Sequence, residues 1–161
     1  MSAQRDALHA LLDVSTVLSL GVLSDGVPAV SLVPYVVKRG PVRFYILVSE
    51  LSPHTRALRG DSRCGWMVHE PSRELDASHA LVRVMGRAEA RFLTREEARA
   101  VGAEGLYAAR FPIAETLLKL KDFHFCELAP TAGSVSFVQG FGRAYAVTGD
   151  DLDAFEHNRG A

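Results

Sequence analysis

The chain has 161 residues, is 48% hydrophobic, and sets 18 basic against 19 acidic residues for a net charge of −1. That is long enough for one domain with its own core. The charge balance speaks against nucleic acid or a polybasic membrane contact, and no apolar run reaches the roughly 20 residues that cross a bilayer.

The N-terminal segment is polar and leads into a helical pattern rather than a signal peptide. Leu8, Leu11 and Leu12 fall at i, i+3 and i+4, one apolar face of a short helix. Residues 16–23 are β-branched and apolar, and Asp25-Gly26 marks a tight hairpin. Residues 27–37 continue as a strand, with Pro34 inside it as the sign of an edge or bulge. After a turn at 38–41, residues 42–48 form a third, buried strand. Residues 63–69 read as the fourth strand and 70–78 as a polar loop.

Residues 79–93 suit an extended fifth strand, with Gly86 as a bulge or bend. Thr94 and Glu97 form a capping box that opens an Ala-rich helix toward Arg110, weakened by Gly102 and Gly105. Phe111-Pro112 restarts a helix. Residues 123–128 and 134–147 return as strands, the second interrupted at Gly140-Phe-Gly142. Residues 150–157 are expected to close as a short acidic helix.

Two cysteines, Cys64 and Cys126, lie far apart with no C-x-x-C, the pattern of reduced cytosolic thiols. None of the six histidines has H-x-x-x-H spacing, so no metal site is expected. No G-x-G-x-x-G follows a strand, and no nucleophile elbow appears.

The junction after residues 44–49 is the most informative stretch. A buried strand empties into Glu50-Leu-Ser-Pro-His-Thr-Arg-Ala-Leu58. Ser52 is a good N-cap and Pro53 suits the first helical position. Free N–H groups and the helix dipole would then face His54, Thr55 and Arg56, an arrangement suited to a phosphate. The alternative is a capped helix whose polar residues face water. Strands joined by hairpins, with helices only at the corners, predict a mainly β, antiparallel barrel or sandwich.

Asp25-Gly-Val-Pro28, Ser31-Leu-Val-Pro-Tyr35, Phe44-Tyr-Ile-Leu-Val-Ser49, His54-Thr-Arg-Ala-Leu58, Asp122-Phe123 and Gly140-Phe-Gly-Arg-Ala144 follow one another in order. Together they resemble the pyridoxamine 5′-phosphate oxidase-related, FMN-binding split-barrel superfamily, nearest its HugZ-type haem-degrading branch. The resemblance spans about residues 8–148. It implies a six-stranded antiparallel split β-barrel with peripheral helices, one domain over residues 1–161, and a cytoplasmic homodimer with FMN at the subunit interface.

By position, Ser31 stands where many relatives place a phosphate-binding arginine. Val33, Pro34 and Tyr35 would flank the flavin ring, and Val48 and Ser49 the ribityl chain. Ser52, His54, Thr55 and Arg56 would hold the phosphate, with His54 replacing a lysine. For Ser31 and Tyr35, plain strand packing explains the residues equally well. Arg143, between small residues, would point at a cofactor or else pair with a surface carboxylate. Trp66 reads as core.

The chain departs from the family in two ways. The Arg- and Trp-containing terminal segment of the pyridoxal phosphate-making oxidases is not expected here, nor is the further domain that supplies the haem-ligating histidine in HugZ-type proteins. His157 is the only late histidine. The expected function is an FMN-dependent oxidoreductase with unidentified substrate and electron donor. The alternatives are a haem-binding or haem-degrading protein and a non-catalytic flavin carrier. Flavin supplies its own electron chemistry, which suits a chain with no evident triad.

Overall fold

A computed structural model describes residues 2–72 and 74–158. Helix α1 (Ala3–Val14) precedes β1 (Val17–Ser24), β2 (Val27–Pro34), β3 (Val36–Lys38) and β4 (Arg43–Ser49). Then come α2 (Pro53–Gly60), β5 (Arg63–His69), a 3-10 turn (Asp76–Ala80) and β6 (Arg83–Leu93). Three short helices follow: α3 (Arg95–Ala100), α4 (Ala103–Arg110) and α5 (Ala114–Leu117). The chain closes with β7 (Phe123–Pro130), β8 (Val135–Val138), β9 (Ala144–Thr148) and β10 (Ala154–His157).

All pairings are antiparallel. One path runs β10-β9-β8-β6-β5-β1-β2, and a branch runs β6-β7-β4-β3. The fork lies on β6. Arg83–Met85 pair with β8, whereas Ala88–Leu93 pair with β7. Gly86 sits between the two partners, where an added Cβ would come within 3.0 Å of Val135 Cγ2. Its pairing with Trp66 keeps the β5 register unbroken, so Gly86 marks a bend rather than a bulge.

The buried run on β4 serves two cores. Phe44, Ile46 and Val48 enter the main core with Leu18, Leu20, Trp66 and the α1 residues Leu8 and Leu12. Tyr45 and Leu47 face the opposite way, against Phe125, Leu93 and Tyr107 under the short helices. Alternation along a strand assigns the two sets to opposite faces.

The C-terminal carbonyls of α1 are satisfied from outside the helix. Arg110 donates to Asp13 O at 2.9 Å and Ser15 O at 2.7 Å, and Tyr35 Oη donates to Leu12 O at 2.7 Å. Both cysteines are free and buried, and burial pushes each thiol up to about 12.

Four expectations need correction. The split barrel holds, but its sheet has ten strand segments, not six. The strand expected over 27–37 breaks at Tyr35, whose N–H turns to Thr16 O. Ser52 makes no side-chain cap bond to α2. Residues 150–157 form no helix: Ala154–His157 pair with β9, and Phe155 packs against the rings of Phe137 and Tyr145. The capping box at Thr94 and the break of the Ala-rich helix at Gly102 are both present.

Candidate functional site

Two surfaces offer chemistry. The first is the start of α2. Strand β4 delivers the chain to it through Ser49, whose hydroxyl donates to Asp122 Oδ2 at 2.7 Å and accepts from Leu51 N at 3.1 Å. Glu50 then takes Arg59 as a partner, and the Arg59 guanidinium lies 4.0 Å above the Phe92 ring. These contacts pin both ends of α2 to the sheet.

At that helix start Pro53 has no N–H, and the Thr55 and Arg56 N–H groups fold back onto Ser52 O. Only the His54 N–H is left without a partner among the described residues. The cradle is therefore narrower than the sequence suggests. It carries instead one buried hydroxyl, that of Thr55, and β2 carries another, that of Ser31. Thr55 is wholly buried, and neither its Oγ1 nor the buried Ser31 Oγ has a hydrogen-bond partner. An orphaned buried hydroxyl costs about 1–3 kcal/mol, so such an atom calls for an explanation. Burial holds the His54 imidazole below its ordinary pKa, which favours the neutral ring. Arg56 is exposed and lines a groove of about 530 Å³ with Pro53, Asp25 and Asp61.

The remaining predicted site residues are scattered. Val33 and Val48 lie in the core, and Pro34 is exposed. The Tyr35 ring is buried edge-on to Phe44, with its hydroxyl committed to α1. Arg143 is exposed on the β8–β9 turn, where it donates to Gln139 Oε1 at 3.0 Å. By strand order that turn lies several strands from α2. Trp66 is core.

Sequence reading missed the second surface, the outer face of β2, β1, β5 and β6. Register places Leu32 beside Ser19 and Ser19 beside Met67, then Met67 beside Met85. One rung away lie Val30, Gly21, Gly65 and Arg87. Val30 is 78% exposed and Leu32 63%, an uncommon exposure for neighbouring aliphatic residues on a sheet. A groove of about 300 Å³ at one end is lined by Val17, Leu32, Met67 and His69. A single strand shows only alternation. The patch emerges from the register of four strands.

Residues 8–154 match the protein family described as CREG, β-barrel. The chain belongs to that family. Among its relatives is the haem oxygenase HutZ of Vibrio cholerae, 32% identical over 135 residues, covering 83% of this chain and 74% of HutZ.

The crystal structure of HutZ, described as a haem storage protein, is 26% identical with a TM-score of 0.74. It covers 85% of this chain and 95% of that one. A haem-binding protein from Mycobacterium smegmatis is 25% identical with a TM-score of 0.80. The match covers 95% of this chain but 61% of the mycobacterial one, so this CREG-type barrel spans less than two thirds of that relative. A Listeria innocua protein provisionally named a pyridoxamine 5′-phosphate oxidase, at 13% identity and TM-score 0.59 over 84% of this chain and 98% of that one, shares the fold alone. The resemblance to the oxidase-related split barrels and to their HugZ-like branch therefore holds.

Proposed function

We propose that this CREG-type barrel is a haem-binding protein that works as a homodimer. The observation that carries the reading is its likeness to HutZ over most of both chains. The outer sheet face supports it with the matching chemistry: an apolar surface bordered by the exposed Arg87, which makes no ion pair among the described residues. A porphyrin is flat and apolar with two carboxylates at one edge, and arginine suits carboxylates. The edge of the same face supports the dimer. Val30, on β2 and outside the groove that Leu32 lines, would be covered by a second copy packed against that strand. Titrating the protein with haemin tests the first point, with saturation at a fixed haem-to-chain ratio expected. Sedimentation at micromolar concentration tests the second, and a monomer would refute the dimer.

A second reading is FMN binding at α2, and one observation favours it. The orphaned hydroxyls of Ser31 and Thr55 could both donate to a phosphate oxygen, and the His54 N–H is free. Ser31, His54, Thr55 and Arg56 would hold the phosphate. Val33, Pro34, Tyr35, Val48, Ser49, Ser52 and Arg143 would contribute at most through packing or from the partner copy. Bound FMN would supply hydride and electron transfer, and the chain's own residues would orient it and exclude water. In paired titrations of one preparation, haemin is expected to bind more tightly than FMN. The reverse order would put the flavin reading first.

A further inference from the structure

We infer that His69 is the iron ligand of this chain, on the outer sheet face, an assignment that rests on the haem reading above. Its ring is set up for metal. His69 Nδ1 lies 2.6 Å from Glu70 O. A carbonyl oxygen can only accept, so Nδ1 carries the proton and the neutral ring leaves its lone pair on Nε2. Histidines that bind metal commonly have their other nitrogen tied to a carbonyl in this way, which fixes tautomer and ring orientation.

No other histidine with a ring hydrogen bond has this arrangement among the described residues. His9 and His157 spend Nε2 on Asp151 O and Gly142 O, and His124 Nε2 faces Glu50. Among the described residues, neither His54 nor His79 has a ring nitrogen in a side-chain hydrogen bond.

The surroundings of His69 fit an iron porphyrin. It ends β5 on an exposed position and lines the groove with Val17, Leu32 and Met67, whose apolar side chains suit a porphyrin face. On the neighbouring strand its direct partner is Arg83, and two rungs along the same face stands Arg87. Directly paired residues project to one side of a sheet, so an imidazole, apolar side chains and two guanidiniums share one surface. That combination matches a hydrophobic macrocycle with iron at its centre and carboxylates at its edge. His157 lies on β10, at the end of the strand path away from β2.

The test is haemin binding followed by absorption and paramagnetic resonance, using the full chain. The wild type is expected to show a histidine-ligated ferric spectrum. His69→Ala is expected to lose the ligand-sensitive bands and at least roughly tenfold in affinity, the scale on which even outer partners of a ligand act. His157→Ala should keep both. His69→Gly with added imidazole should recover the ligated spectrum, a rescue that a purely structural histidine would not give. Because His69 is exposed, the thermal midpoint of the haem-free variants should match the wild type. An unchanged spectrum in His69→Ala overturns the assignment and leaves the haem reading standing. A wild type that takes up no haemin overturns the haem reading itself.

Discussion

The start of α2 and the outer face of β2, β1, β5 and β6 carry opposite kinds of signal. The first is local: Ser52 to Leu58 announce a helix with a polar opening within seven consecutive residues. The second is assembled from Leu32, Met67 and Met85, which come together only through strand register. The helix start hides its chemistry, since Thr55 is wholly buried and its hydroxyl unpartnered. The sheet face displays its own, with Val30 and Leu32 in the open. A polar group kept dry and apolar groups kept wet are both unfavourable for an isolated chain, and each points to a missing partner.

The largest expected effect separates core from face. Phe44→Ala should destabilise the fold by about 3–5 kcal/mol, because its ring is buried against Tyr35 and Trp66. Val30→Ser should change the stability of the isolated chain by no more than about 0.5 kcal/mol, as an exposed site does. Its effect should fall on self-association. Thermal unfolding and sedimentation of the two variants measure both. Equal losses of stability would mean that the outer face is part of the fold rather than a contact surface.

The next effect asks whether the helix start binds an anion. Arg56→Ala should weaken FMN by about 1.5–3 kcal/mol, roughly ten- to a hundredfold, and leave riboflavin unchanged. Haemin affinity should not move, since Arg56 belongs to the α2 groove and not to the sheet face. An equal loss for FMN and riboflavin would show Arg56 acting through packing.

How much of this was legible depended on how local the cause was. The hairpin at Asp25-Gly26, the Thr94 capping box and the buried strand expected over 42–48, found at Arg43–Ser49, are present because each is decided within a few residues. The doubly buried β4 even shows in composition, as a run with no polar break between Phe44 and Val48. The last strand was illegible for the opposite reason. Ala154–His157 has only four residues, too few for a period, and it is held by β9 and by the Phe137 and Tyr145 rings. Tyr35 looked like a site residue because the family resemblance sets it beside the flavin ring. Only the fold reveals that its hydroxyl ends α1. His69 went unnoticed because its use depends on one backbone carbonyl and two neighbouring strands.

A smaller effect isolates the hydroxyls. Thr55→Val keeps the shape and removes an unpartnered buried oxygen, so the ligand-free protein should be more stable by about 1 kcal/mol. The same change should weaken FMN while sparing haemin. Stabilisation without any effect on FMN would make Thr55 a packing defect rather than a phosphate donor. Denaturant midpoints and flavin fluorescence titrations separate the two results.

The smallest effect is a pH dependence at His54. Burial lowers its folded pKa below the unfolded value near 6.5, so the folded chain prefers the neutral ring. Between the two values the unfolded chain binds more protons, and stability therefore falls as the pH drops through that window. His54→Gln should flatten the slope between about pH 7 and 5 without moving the midpoint at pH 8. The carboxylates nearby do not share the variant's response, because Asp61 is held at about 2 by Arg63 and Glu50 is lowered by Arg59. Adding FMN sharpens the measurement. A bound phosphate would favour the imidazolium and oppose the burial effect, so FMN should raise the wild-type midpoint more at pH 5.5 than at pH 7.5. The variant should show equal gains at both. If the wild type also gains equally, the phosphate does not reach His54, and the α2 start is an ordinary helix end beside a sheet face that carries the function alone.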